Sequence, residues 1–437
     1  MEALGGMFGS SSASGHTSVL PDGWTYAPRY GFDEAFTANG SLREHWTEFF
    51  EAMRPLGGEE LERRWRQAQR VIRENGVTYN VYGDPRGTDR PWQLDPLPLL
   101  ISAEEWATLE SGLEQRARLL DAILADLYGS QRLLHEQLLP PELVLGSSAF
   151  LRPLVGVPVA RNVRLHLYAA DLARGADGRF WVLGDRTQAP SGAGYALENR
   201  IVISRMLPQP FRDCRVERLA PFFRTLREGL STLCPRKTDS PRVVLLTPGP
   251  YNETYFEHAY LARYLGYTLA EGGDLTVRDR CVHLKTLGGL ERVDVILRRL
   301  DDSFSDPLSL RASSSLGIAG LVHAVRAGNV MVANSLGSGL LETPALLAFL
   351  PAVCRALFGE ELTLPSAPTF WCGEPAALSH VLENLRDLVI KSAAFGAPAT
   401  EPVFGGDLDA AGTAELKARI RARPAAFVAQ ERLPLST

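Results

Sequence analysis

At 437 residues, 45% of them hydrophobic and 22% charged, the chain has the length for about three domains and the apolar content for real cores, which excludes a single small module and a chain disordered throughout. Its net charge of −5 comes with arginines scattered among Asp and Glu, so there is no basic stripe for nucleic acid, while a phosphate-bearing small molecule stays open as a partner. The five cysteines are odd in number and form no CxxC, which indicates neither a disulfide framework nor a zinc site and fits a reducing, cytoplasmic setting.

The first twenty residues are rich in Gly and Ser, without a basic start or a long apolar run, so residues 1–30 are expected to be a disordered tail and not a signal peptide. A helical region over 31–150 follows, in which apolar residues recur at helical spacing from Ser41 to Glu74 and from Ala103 to Leu134. Ser102 with Glu104 and Glu105 gives the second segment an acidic first turn, and Gly129 can close it. Between them, Gly83 to Trp92 is a loop by composition.

Next, Arg164–Tyr168 and Phe180–Leu183 around the turn Ala176-Asp-Gly178 predict a β-hairpin, followed by the glycine-bearing loop Ala189–Gly194 and an apolar-periodic run, Leu197–Leu207, stopped by Pro208. Past Pro235–Pro241 the pattern alternates. Strands are expected at Arg242–Thr247, Tyr267–Glu271, Val293–Arg298 and Val330–Ala333, with helices at Tyr255–Leu265 and Gly317–Ala327. Such alternation argues for a parallel, doubly wound sheet, whose ligands bind beyond the carboxyl ends of the strands, here Pro248–Glu253, Arg298–Asp302 and Asn334–Gly339. The most apolar stretch, Ala345–Phe358, is broken by Pro351 and Arg355 and falls short of the ~20 residues that span a bilayer. The final segment holds a strand at Leu388–Lys391, a loop with Gly396, Gly405 and Gly406, a helix at Ala410–Ala422 and a strand at Ala426–Gln430.

Several of these residues carry chemistry. Asp171, Asp185, Glu198 and Asn199 are the oxygen donors that suit Mg²⁺, which takes one or two carboxylates plus substrate phosphates; as readily, they are surface carboxylates and a helix cap. Lys391 ends an apolar strand before a glycine-bearing loop, where it either reaches phosphate oxygens or snorkels to water. Gln430 and Glu431 end another strand, placed to read an adenine edge and a ribose. His258, one turn from Tyr255, reads as a core or capping histidine. Asn334–Gly339 lacks the GxxxxGK[ST] arrangement, and no GxSxG, HExxH or GxGxxG occurs, which leaves hydrolase triads and P-loop folds unsupported.

Taken in order, RPWQLDPLPLLI, EQRARLLDAILADLYG, DRTQAPSGAGYALENR, LLTPGPYNETYFEHAYLARYLGY, VDVILRRLDDSFSDPL, VMVANSLGSGLLETPALLAFLP, LVIK and RARPAAFVAQE resemble the circularly permuted ATP-grasp family, over nearly everything from Gly31 onward. The resemblance implies a mixed α/β (α+β) chain. The metal-binding half of the grasp would occupy 151–235, a pre-ATP-grasp αβ domain 240–355, and the lysine strand with the adenine hinge 356–437. It implies ATP and Mg²⁺ as cofactors. Asp171 resembles the first metal carboxylate. Asp185 and Thr187 stand in the place of the acidic-x-Asn pair of relatives such as glutathionylspermidine synthetase, with Glu198 and Asn199 as further donors. Lys391 resembles the phosphate-binding lysine, Gln430 and Glu431 the adenine hinge, and Arg298 and Arg299 fall in the part that helps bind the acceptor substrate.

The activity so implied joins a small carboxylate to an amine, both amino-acid- or peptide-like, through an acyl phosphate. Family members continue beyond the hinge, whereas this sequence stops at Thr437, so a partner protein or a further C-terminal segment is expected to complete the pocket. The alternative is a catalytically inactive ATP-grasp-like scaffold working with a partner chain.

Overall fold

The computed structural model describes residues 31–80, 90–393 and 401–437; the tail expected over 1–30, most of the loop Gly83–Trp92, and Gly396 lie outside the described residues. The segment from Ser41 to Glu74 forms two helices, α1 (Glu44–Met53) and α2 (Gly57–Glu74), because Pro55 sits between them in a short 3-10 turn. Trp46, Phe49, Phe50 and Met53 of α1 and Leu61, Ala68 and Ile72 of α2 share one core with Tyr195, Val202 and Met206 of a later helix. Helix α3 (Ala103–Leu127) opens with a capping box: the Glu105 N–H donates to Ser102 Oγ at 3.2 Å and the Ser102 N–H to Glu105 Oε2 at 3.3 Å. Its Leu119, Leu120, Ile123, Leu124 and Leu127 pack into the central core.

The hairpin is displaced from its expected first strand. Strand β1 is Ala169–Arg174, not Arg164–Tyr168, and pairs antiparallel with β2 (Phe180–Arg186). Side chains distant in sequence take the N–H groups of the expected strand. Those of Arg164 and Leu165 donate to Asp121 Oδ1 at 2.7 and 2.8 Å, and those of His166 and Leu167 to Asn334 Oδ1 at 2.7 and 2.8 Å. Helices α4 (Ala193–Met206) and α5 (Ala220–Ser231) lead into the αβ part.

There the parallel sheet forms as read from the alternation. Strand β3 (Val243–Leu246) leads to α6 (Tyr255–Leu265) and β4 (Thr268–Ala270). A meander, β5 (Leu275–Arg278), β6 (Cys281–Thr286) and β7 (Gly289–Arg292), precedes β8 (Val295–Arg298); α7 (Leu321–Arg326) and β9 (Met331–Ala333) follow, and the parallel order is β4-β3-β8-β9. After α8 (Leu350–Phe358), the last unit builds a second four-stranded sheet from β10 (Thr369–Trp371), β11 (Leu388–Ser392), β12 (Val403–Phe404) and β13 (Phe427–Glu431), in the order β10-β13-β11-β12. Helices α9 (Pro375–Glu383) and α10 (Ala410–Ala422) cover it, with Val381, Leu385, Ile390, Leu416, Ile420 and Ala429 between.

Backbone contacts tie this late sheet to the early hairpin. Val182 N–H donates to Pro365 O and Ala367 N–H to Val182 O, both at 2.9 Å. The end of the chain runs along the hairpin turn, where Ala176 N–H donates to Pro434 O and Ser436 N–H to Arg174 O, again at 2.9 Å. Among the described residues no helix is long and apolar enough to cross a membrane.

Candidate functional site

Side chains alternate across a strand, so the pairing register decides which residues share a face. In the hairpin Asp171 lies opposite Gly184, and Ala170 opposite Asp185, with a bulge between Asp171 and Leu172. Asp171, Gly184 and Arg186 therefore share one face, and Asp185 lies on the other. That second face packs on α3 through Leu109, Leu113, Ala170, Leu172 and Val182. Asp185 is spent there. Arg116 donates from Nε to Asp185 Oδ1 at 2.7 Å and from Nη2 to Oδ2 at 2.9 Å, and the Tyr168 hydroxyl donates to Oδ1 at 2.7 Å. The side chains of Arg116 and Asp185 are 0% and 1% exposed, and burial, with this carboxylate adding to it, holds the Tyr168 phenol protonated far above its ordinary range.

The first face looks onto the late sheet. Arg186 donates from Nε to Asp171 Oδ2 at 3.1 Å, with its Nη2 ion-paired to the same oxygen at 2.8 Å, a pair half open to solvent. Across from it, the Lys391 ammonium donates to Gln430 Oε1 at 2.7 Å, while the Gln430 amide donates to Thr369 Oγ1 at 3.3 Å and Leu183 O at 3.4 Å. Burial pulls the Lys391 pKa below that of a free lysine; the Asp171 carboxylate opposes that shift and the Arg186 guanidinium adds to it. Arg186 also acts on Glu342, whose carboxyl burial pushes upward although Thr187 N–H and Gln188 N–H each donate to its Oε1 at 2.7 Å. It reaches electrostatically as far as Tyr79, whose hydroxyl is 3.5 Å from Glu253 Oε2.

The loop from Thr187 to Gly194 is held from the carboxyl ends of the parallel strands. Arg298 and Arg299, expected as acceptor-binding groups, are both buried and committed to it. Arg298 Nη2 is paired with Asp302 at 2.9 Å and donates to Gln188 O at 3.2 Å. Arg299 Nη1 donates to Pro190 O at 2.7 Å, and its Nη2 pairs with Glu257 Oε2 at 3.1 Å. Glu257 Oε1 accepts from Gly192 N–H and Gly194 N–H at 2.8 Å each. His258 is buried between Thr247 Oγ1 at 2.9 Å and Thr254 Oγ1 at 3.1 Å.

The five residues expected to supply metal oxygens do not converge. Asp171 and Asp185 lie on opposite faces. Thr187 is fully buried and donates from Oγ1 to Ser338 O at 2.8 Å. Glu198 accepts from Asn75 Nδ2 at 2.6 Å, and Asn199 accepts from Trp92 Nε1 at 2.9 Å, partners at the end of α2 and in the segment that follows it. Beside Asp171 stand a glycine and a guanidinium, so the one carboxylate on this face is already paired with a cation, which does not favour a Mg²⁺ centre, and among the described residues no group of three or more His, Cys, Asp or Glu is placed to hold a metal ion. Lys391 and Gln430 do come together; Glu431, next along β13, is exposed, with its N–H on Pro368 O at 2.9 Å.

Sequence reasoning missed Arg186, Glu342 and Arg116. For Arg186 the signal was there: it stands two residues after Gly184, hence on Asp171's face once the register is known. Nothing local marks Arg116 or Glu342, whose partners are far away in the chain.

Comparisons with known proteins fit this architecture. The family model described as circularly permuted ATP-grasp type 2 matches residues 98–437. The chain is 43% identical over 412 residues to the uncharacterized protein Rv2567 of Mycobacterium tuberculosis, covering 92% of this chain and 46% of that protein. It is 36% identical over 412 residues to the uncharacterized protein sll0335 of Synechocystis, covering 94% and 85%. Thus the chain spans about half the length of the first of these relatives. Among solved structures, a glutathione synthetase-like effector, GSS30, from Globodera pallida in its apo form shares the fold at a TM-score of 0.56 and 14% identity, covering 86% of this chain and 82% of that one. With the family match spanning most of its length, this chain belongs to the circularly permuted ATP-grasp family of type 2.

Proposed function

We propose that the chain binds ATP between the β11–β13 sheet and the Asp171 face of the hairpin, and uses it to join a small carboxylate to an amine. The observation that carries this reading is that Gln430, holding Lys391, donates to Leu183 O of the hairpin, with Asp171 and Arg186 within electrostatic reach of the lysine, so that two cations stand where two units meet. The ligation would run in two displacements. A carboxylate oxygen attacks the γ-phosphorus, the bond to the β-phosphate oxygen breaks, and ADP leaves; the amine nitrogen then attacks the acyl carbon, phosphate departs, and the nitrogen loses a proton. Triphosphate and carboxylate repel, so the work of the chain is positioning and charge neutralisation. Lys391 and Arg186 are the groups available for it. The exposed end of β13 at Glu431, beside Gln430, would take the adenosine end.

ADP release during a screen of amino acids and short peptides tests this directly. Product is expected only when acid and amine are both present, and at least tenfold less in Lys391→Ala, roughly the worth of one charged hydrogen bond. Unchanged ATP under every pair would overturn it. The second reading, a nucleotide-binding scaffold that acts with a partner chain, is favoured by the separation of the metal carboxylates. ATP binding without turnover, with turnover restored by a co-purified partner, selects it. Five unpaired cysteines suit a cytoplasmic location for either.

A further inference from the structure

Arg186 occupies an unusual place. Its face of the hairpin is the one turned to Lys391, and the only carboxylate on that face is Asp171, to which Arg186 donates from Nε and with which it is ion-paired through Nη2, both at one oxygen. The position opposite Asp171, from which a second carboxylate could share a divalent cation with it, is Gly184. A Cβ added there would meet only Asp171 Oδ2, at 3.5 Å, an ordinary contact. The Asp171–Arg186 pair is half exposed, and exposed ion pairs stabilise folds by little. The hairpin packs into the core through its other face, by Val182 and Leu172, with the Arg116–Asp185 pair buried beside them. Arg186 is therefore held in place beside the lysine without being needed to hold the fold. A guanidinium is a planar fork of donors whose charge never titrates away, suited to phosphate oxygens. Asp171 keeps it oriented while leaving donors free: Nη1 makes no hydrogen bond to it.

Resting on the nucleotide reading above, we infer that Arg186 is the built-in cation of this site: it stands where the fold would otherwise place a divalent ion, and with Lys391 it takes the polyphosphate of a nucleoside triphosphate with no metal required. Asp171 then acts as a positioning residue, fixing the guanidinium.

The test is calorimetric titration of ATP into the full chain, once with excess EDTA and once with MgCl₂. Wild-type affinity is expected to agree within about threefold between the two, since the cation is supplied by the chain. Arg186→Ala is expected to lose about tenfold or more in EDTA, with its thermal midpoint unchanged because the pair it breaks is exposed. A second variant, Gly184→Glu combined with Arg186→Asn, puts oxygen donors on Asp171's face and is expected to bind ATP only with Mg²⁺. Wild-type binding that needs Mg²⁺, or an Arg186→Ala chain that binds as wild type in EDTA, overturns the inference while leaving the nucleotide reading intact. No binding in either buffer overturns both.

Discussion

Asp185 shows how one residue's side of a strand decides its role. As a carboxylate opposite Arg116 in the core it is one half of a buried ion pair, and removing one half strands the other charge. Asp185→Asn is therefore expected to lower folding stability by about 3–5 kcal/mol, in urea titrations with and without Mg²⁺ alike. Asp185→Leu with Arg116→Met is expected to recover most of that loss, because an apolar pair needs no partner charge. Equal stability of wild type and Asp185→Asn would contradict this account. Histidines give a second test. Burial pushes His258 down to about 2 and His166 to about 4, with Arg299 adding to the effect at His258. Both fold neutral. The unfolded chain takes up their protons near pH 6.5, so their contribution is whole above that pH and is lost as pH falls from 6.5 toward 4 for His166 and toward 2 for His258. Each costs about 1.4 kcal/mol per pH unit in that window, and His166→Phe is expected to flatten the urea midpoint against pH by about one proton between pH 6 and 4. Burial of His258 was legible from its helix face, whereas the pairing of Asp185 was not, since Arg116 lies on a helix read only as amphipathic.

At the scale of elements, helices and strands with strong periodicity were readable and the hairpin was the exception. Its β1, AADLAR, carries no alternation, while the neighbouring RLHLY does and yet has its N–H groups taken by Asp121 and Asn334. Successive side chains on a strand point to opposite faces, and the pairing of Asp185 with Ala170 turns its carboxylate to the core, which no signal in the hairpin's own sequence marks. The loop after β2 is specified differently. Glu257 of α6 gathers Gly192 N–H, Gly194 N–H and Arg299 into one clamp, and a Cβ on Gly194 would come within 2.8 Å of Glu257 Cγ. Glu257→Ala is expected to cost about 3–5 kcal/mol by leaving Arg299 buried without its partner, and Gly194→Ala about 1–3 kcal/mol by displacing the same side chain. Hydrogen exchange at Gly192 and Gly194 should rise in both, and protection unchanged in either would show the clamp is not what holds the loop.

For the whole molecule, the candidate site exists only because units far apart in the chain meet. Lys391 and Gln430 belong to the late sheet and Asp171 and Arg186 to the early hairpin. The backbone bonds between Val182 and the 365–367 segment, with those between Arg174, Ala176 and the last residues, set the distance between them. Order along the sequence revealed which unit carries which residues, but a contact that closes this way has no local signal, as the commitment of Arg298 and Arg299 to the loop shows. A ligand held from both sides must order both. ATP at saturating concentration is expected to slow amide exchange at Leu388–Ser392 and at 184–187 together, by an amount that follows RT ln(1 + [L]/Kd), about 2.7 kcal/mol at a hundredfold excess over Kd. The α1 and α2 amides, whose core is separate from that of the late sheet, should exchange as before. Protection confined to β11 and β13 would mean that the nucleotide leans on one wall only. Arg186 would then have no part in binding, and the meeting of hairpin and sheet would have to be explained by something other than a grasp on ATP.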